Sequence, residues 1–135
     1  LLRGIILAFC LCSAPMAEAA QIYICRLTET GNSGWIPEVL FVGREDGAET
    51  VTVSDPLILY YNDGAPLQGK VAADNAKRTT FVWTFAMTTT GGQYVGKFQY
   101  TATYLKGAKK MLLSAIPIGY ANQFNGAGTC NVETR

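Results

Sequence analysis

Residues 80–87, TFVWTFAM, and 94–105, YVGKFQYTATYL, decide the fold class. In the first stretch Phe81, Trp83, Phe85 and Met87 share one face, with Thr80, Val82, Thr84 and Ala86 opposite. In the second, Tyr94, Gly96, Phe98, Tyr100, Ala102 and Tyr104 oppose Val95, Lys97, Gln99, Thr101 and Thr103. Successive side chains of a strand point to opposite faces, so a period of two with bulky aromatics on one face reads as a half-buried antiparallel strand. Thr88 to Gly92 connects the two, and Gly91-Gly92 reads as a hairpin connection; it lacks the Lys-Ser/Thr and the helix of a phosphate cradle. Lys106-Gly107 then turns the chain, and Lys109 to Ile116 returns with Met111, Leu113 and Ala115 in phase. Three such strands in succession form a meander.

The same pattern extends outward. Gln21 to Leu27 alternates, and Gly31-Asn32-Ser33-Gly34 is a loop signal. Trp35 to Val42 reads as a second strand, with Pro37 placing its start at an edge or bulge. Glu49 to Asp55 is a third, with Val51 and Val53 pointing one way, until Asp55-Pro56 interrupts it. Leu57 to Tyr61 reads as a short fourth strand running into the turn Asn62-Asp63-Gly64. Pro66 to Lys77 has no clean period, leaving room for a short strand at Gly69 to Ala72 or a helical turn near Ala73 to Ala76. Beyond Pro117 and Gly119, a tail through Asn125, Gly126 and Gly128 leads to Cys130.

Seven or eight strands without a convincing helix need their edges closed or covered. The expectation is all-β: a small antiparallel meander β-barrel, with a two-sheet β-sandwich as the alternative. Gly96, in the middle of a long strand, allows the sharp bend by which one strand serves both halves of a barrel.

The first twenty residues, LLRGIILAFCLCSAPMAEAA, differ from the rest. Arg3, the apolar run Ile5 to Cys12, Pro15 and the stretch Ala17-Glu18-Ala19-Ala20 follow the order of a secretory signal peptide. The apolar run is far shorter than the roughly 20 residues a membrane-spanning helix needs. Residues 1–20 are therefore expected to be a signal peptide and residues 21–135 a single domain, periplasmic or secreted. Cys10 and Cys12 follow Phe9 and Leu11, which do not suit lipidation. Past residue 20 the chain has two cysteines, Cys25 and Cys130. In an oxidising compartment they are expected to pair. Their bond closes a loop of about 106 residues, worth roughly 4.7 kcal/mol in the chain-entropy account.

Composition narrows the chemistry. The 135 residues hold 11 Lys and Arg, 10 Asp and Glu and no His, for a net charge of +1. Near-neutrality gives no support to a nucleic-acid partner. Without histidine the chain lacks the usual general base and the usual zinc ligand. No cofactor or metal site is read from it, and a non-catalytic role is expected. Most of the carboxylates fall in or beside predicted turns, where solvated charge is the default. Glu45-Asp46-Gly47 and Asn62-Asp63-Gly64 lack the alternating ligands of a calcium loop.

Two features leave room for binding a protein or a small apolar ligand. Trp83, Tyr94, Phe98, Tyr100 and Tyr104 would fill a barrel interior or, in a hollow one, line a cavity beneath Trp83 and Tyr100. On the surface, Lys106, Lys109 and Lys110 form a basic hairpin with Lys97 on the preceding strand, suited to an acidic surface or anionic glycan. Trp35, Tyr61 and Asp63 stand beside loops at Gly31 to Trp35 and Tyr61 to Pro66, a composition suited to protein recognition.

Tyr23-Ile24-Cys25 in the first strand and Cys130 near the end resemble the outline of the small periplasmic lysozyme-inhibitor barrels. The resemblance covers those two anchors and the overall size, and it implies an exported barrel that inhibits a secreted hydrolase. Those inhibitors plug the lysozyme cleft with a Ser-Gly-containing loop, for which the sequence shows no convincing counterpart.

Overall fold

A computed structural model of the chain describes residues 19–88 and 94–135. The expected signal segment up to residue 18 and the connection at 89–93, with Gly91-Gly92, lie outside the described residues. Eight strands, each hydrogen-bonded to the next, close into an antiparallel barrel. They are β1 (Ala20–Glu29), β2 (Val39–Glu45), β3 (Thr50–Ser54), β4 (Leu67–Asp74), β5 (Arg78–Thr88), β6 (Tyr94–Leu105), β7 (Lys110–Pro117) and β8 (Phe124–Thr134). A short helix, α1 (Pro56–Tyr61), lies between β3 and β4. The meander order makes this a barrel and not a sandwich, because β1 pairs with β2 on one side and β8 on the other.

Inward-facing residues follow the period of two read from the sequence. Phe81, Trp83, Phe85 and Met87 of β5 and Phe98, Tyr100, Ala102 and Tyr104 of β6 are all buried, opposite Met111, Leu113 and Ala115 of β7. Trp83 and Tyr100 occupy adjacent strands in register and stack face to face, with ring centroids 5.6 Å apart. Tyr100 stacks on Phe85, and Tyr23 meets Phe81 and Tyr104 edge-on. Aromatic pairs at these separations add to area burial. The side chain of Tyr94 lies outside the described set.

The seam between β1 and β8 closes the barrel. Ala20 and Arg135 exchange both backbone hydrogen bonds, at 2.7 Å each. Counting along the constant register, Tyr23–Val132, Cys25–Cys130 and Leu27–Gly128 fall at the non-hydrogen-bonded positions, where opposed residues come closest. Cys25 and Cys130 therefore face each other with Cα atoms 4.0 Å apart, joined by a disulfide. At Gly128 a side chain is impossible without movement. A Cβ there would run into the backbone oxygen of Arg26 and come within 2.6 Å of the Leu27 Cα.

Four stretches differ from their sequence reading. Leu57 to Tyr61 is helix and not strand. The carboxylate of Asp55 accepts a hydrogen bond from the Ile58 N–H at 2.8 Å, and Pro56, pre-set for the first helical position, follows it. Local capping overrides the strand preference of these side chains. Trp35 to Val42 begins as loop, and β2 starts only at Val39. The region after Pro66 is a full strand, β4, and the tail is another, β8.

Replacing Gly128 by Ala should destabilise the fold by about 3 kcal/mol or prevent folding, because backbone has to move. Gly107 is the control, since a Cβ added there would meet no atom within 4 Å. Gly107→Ala should change stability by no more than about 0.5 kcal/mol. Urea unfolding of both variants checks the pair, and equal midpoints would contradict the close approach at the seam.

Candidate functional site

Strand direction sorts every connection to one of two ends. The loop end carries residues 30–38, 55–66 and 118–123, and the hairpin end carries the tight connections 46–49, 75–77 and 106–109 together with the paired strand ends at Ala20 and Arg135.

At the loop end the mouth is covered. Loop 30–38 crosses it: the Tyr100 hydroxyl donates to the Trp35 carbonyl at 2.8 Å, the Trp35 ring lies 4.8 Å from Phe98, and Ile36 is buried against Gly126. From β3, α1 drops Ile58 fully into the interior. Asp55, which caps that helix, is only 2% exposed. Burial pushes its carboxyl up to about 6, against the opposing pull of the Ile58 and Leu57 N–H groups. The Tyr100 phenol lies within its influence; burial first, then Asp55 and Tyr61, raise that phenol. Trp83 Nε1 is buried without a hydrogen-bond partner among the described residues.

Around this cover, large apolar side chains are exposed among polar and glycine loop residues. Tyr60 is 67% and Tyr120 70% exposed, with Leu59 beside the first and Ile118 near the second. The Ile118 N–H donates to the Lys97 carbonyl at 2.8 Å, which fixes the β7–β8 corner beside β6. Gly31 to Gly34 stands exposed as well, and the Ser33 hydroxyl accepts from the Trp35 N–H at 3.1 Å. The Ser33-Gly34 pair thus sits on an exposed loop.

The hairpin end is polar. Arg44 continues the inward phase of Leu40 and Val42; its Nε donates to the Ala48 carbonyl and its Nη1 to Asp74 Oδ2, each at 2.8 Å. Lys106 Nζ donates to Asp74 Oδ1 at 3.1 Å and to the Asn75 carbonyl at 2.6 Å. Buried Thr79 donates to the same carboxylate at 3.1 Å. Arg44 foremost, with Lys106 next, holds the Asp74 carboxyl at about 2. These residues, with Gln21, Tyr23 and Tyr104, line a cleft of about 460 Å³. The Tyr23 hydroxyl donates to Gln21 Oε1 at 3.3 Å, and burial raises its phenol. Arg44 and Lys106 both pair with Asp74, so the cluster bridges β2, β4 and the β6–β7 connection across this end.

The surface residues singled out in the sequence do not form one surface. Trp35 and Tyr61 are half-buried at the loop end, packed against the core, with Asp63 exposed near Tyr61 in a left-handed conformation (φ 52°). Lys97 is exposed near the loop end of β6, nine residues before Lys106, which follows the other end of that strand, or about 30 Å away. Lys106, Lys109 and Lys110 occupy the opposite end, so Lys97 does not belong to their patch.

Sequence reading misses Asp55, Arg44, Asp74 and Thr79. Asp55 reads as one of the solvated turn carboxylates, yet it is in phase with inward Val51 and Val53. Thr79 is likewise in phase with Phe81. Among the described residues no group of three or more acids or cysteines is placed to hold a metal, and no helix is long and apolar enough to cross a membrane. Compared with protein-family models, curated proteins and solved structures, the chain matches none.

Asp55 makes stability pH-dependent. Its folded value, about 6, exceeds the ordinary 3.8, so its contribution is full below pH 4 and is lost as pH rises to 6. The fall is about 3 kcal/mol at 1.36 kcal/mol per unit. Asp55→Asn keeps an acceptor for the Ile58 N–H and should flatten this slope. Thermal melts from pH 4 to 7 check it; an unchanged slope in the variant would assign the pH dependence elsewhere.

Proposed function

We propose that the chain is an exported, non-catalytic binding protein that acts through the loop end of a filled barrel. One observation carries the reading: large apolar side chains at that end, Leu59 and Tyr60 on one connection and Ile118 and Tyr120 on another, are turned outward on connections fixed by backbone hydrogen bonds. Exposed tyrosines on a rigid frame are good anchors for a protein partner, being large, amphipathic and poor in rotamers to lose. The carrier reading is less favoured, because Trp83 and Tyr100 stack on each other where a ligand would lie. A non-catalytic role is supported by the missing histidine and by the mutual pairing of Arg44, Asp74 and Lys106. Export is supported by the order of residues 1–20, by β1 beginning at Ala20 and by a disulfide suited to an oxidising compartment.

A second reading, inhibition of a secreted hydrolase, is favoured by the exposed Ser33-Gly34 pair. In it the 30–38 loop enters the enzyme's cleft, and Trp35 anchors that loop through Tyr100.

Photo-crosslinking side chains placed singly at Tyr60, Tyr120, Ser33 and, as a wall control, exposed Thr84 test both readings in the producing cell. Discrete adducts with another protein are expected from positions 60 and 120 and not from 84. An adduct with a hydrolase from position 33 alone would move the function to the second reading. No adduct from any position would end the loop-end proposal. The unmodified chain recovered from the exported fraction should begin at Ala20 or Gln21, and recovery of an uncleaved chain in the cytoplasm would overturn export.

A further inference from the structure

We propose that the hairpin end is a self-association surface on which a second copy of this chain docks, basic hairpins against acidic hairpin. Lys77, Arg78, Lys106, Lys109 and Lys110 fall on two neighbouring hairpins and are all exposed. The hairpins are joined: the Lys106 N–H donates to the Lys77 carbonyl at 2.9 Å, Arg78 pairs with Leu105, and Leu105 pairs with Lys110. Asp74 is the acid at their base, and it is already held by Arg44 and Lys106. The β2–β3 hairpin is the reverse, with exposed Glu45, Asp46 and Glu49. Among the described residues the remaining side-chain ion pair at this end is Arg135–Glu133, so neither patch is neutralised within the chain.

Geometry makes the two patches self-complementary. In an eight-strand barrel the β2–β3 and β6–β7 hairpins are four strands apart, on opposite sides of the mouth. An in-plane two-fold axis bisecting the directions of the patches sets the basic side of each copy on the acidic side of the other, giving the same contact twice. The frame is stiff: Arg44, Asp74 and Lys106 tie the mouth across, and Lys109 is held left-handed (φ 53°) with its carbonyl accepting from the Cys130 N–H at 3.0 Å. A long polyanion crossing this mouth would instead meet the three carboxylates of the acidic hairpin. The chain's net charge of +1 leaves two copies little to repel them. Docked so, the two loop ends point apart, and the pair engages two partners or one repeating partner with the gain of bivalency.

Exposed ion pairs are individually weak and screened by salt, so the dimer should be salt-labile. Sedimentation of the protein as produced, up to about 1 mM, should show mass rising toward twice the monomer at about 20 mM salt and returning to monomer near 0.5 M. A variant with Glu45→Lys, Asp46→Lys and Glu49→Lys should stay monomeric at low salt, as should one with Lys77→Glu, Arg78→Glu and Lys110→Glu. Mixing the two should restore a dimer, a result that loss of folding cannot mimic. Lys106 and Lys109 are left in place because they hold the mouth and the turn. A parent that stays monomeric at low salt, or reversed variants that fail to pair when mixed, overturns the proposal. Binding of dextran sulfate by a parent that remains monomeric would also overturn it and assign the basic hairpins to an anionic polymer. None of these outcomes depends on the loop-end crosslinks, so the two proposals stand or fall separately.

Discussion

The rest of the molecule depends on the meeting of β1 with β8. A meander of eight strands has two free edges until its first and last strands pair, and free edges are templates for aggregation. Here they are brought together at their closest positions: Gly128 admits the backbone of Arg26 and Leu27, and two residues further on Cys25 and Cys130 lock the approach. The seam joins the first strand to the last, so the disulfide closes all the intervening strands into one loop, its partners separated by 105 positions. In the chain-entropy account a bond of such span removes more freedom from the unfolded chain than a local one.

Closure with bulky interior residues sets what the protein can do. Once Phe81, Trp83, Phe85, Phe98 and Tyr100 fill the barrel, recognition is left to the wall and the two ends. The ends are sealed by different chemistry. Tyr100, Trp35 and the Asp55-capped helix close one with apolar side chains and a buried carboxyl whose ionisation is opposed by its surroundings. Arg44, Asp74 and Lys106 bridge the other with charge around a cleft. The outward residues differ too, with Leu59, Tyr60, Ile118 and Tyr120 exposed at the first end and oppositely charged hairpins at the second, which is why different partners are proposed for the two.

Legibility from the sequence follows side-chain size. The strands with a regular alternation of bulky side chains, β5 to β7, can be placed within a few residues, and the barrel and the pairing of Cys25 with Cys130 are both expected from the sequence. The strands that escape or are half-seen, β4 and β8, carry glycine where neighbours approach most closely. A Cβ on Gly69 would sit 3.0 Å from the Val82 oxygen, and Gly126 and Gly128 are tighter still. Close packing therefore erases the very alternation that marks a strand. The helix at 56–61 is hidden for a different reason: Leu57 to Tyr61 suits a strand, and only the Asp55 cap with Pro56 tips it over. Of the candidate surface residues, the spacing along β6 already separates Lys97 from the lysine hairpin. The opposite-side placement of Glu45, Asp46 and Glu49 needs the barrel.

Cross-strand proton contacts in the oxidised protein test closure most directly. In a closed barrel the non-hydrogen-bonded pairs Tyr23–Val132 and Cys25–Cys130 bring their Hα protons together, so strong Hα–Hα cross-peaks are predicted at both. The Cys25–Cys130 contact by itself follows from the disulfide, so the Tyr23–Val132 peak decides. Its presence, with Ile22 and Ile24 amides slow to exchange, is the predicted result. Its absence, with those amides exchanging like an exposed edge, would leave an open sheet held by a disulfide and would contradict the account of the seam.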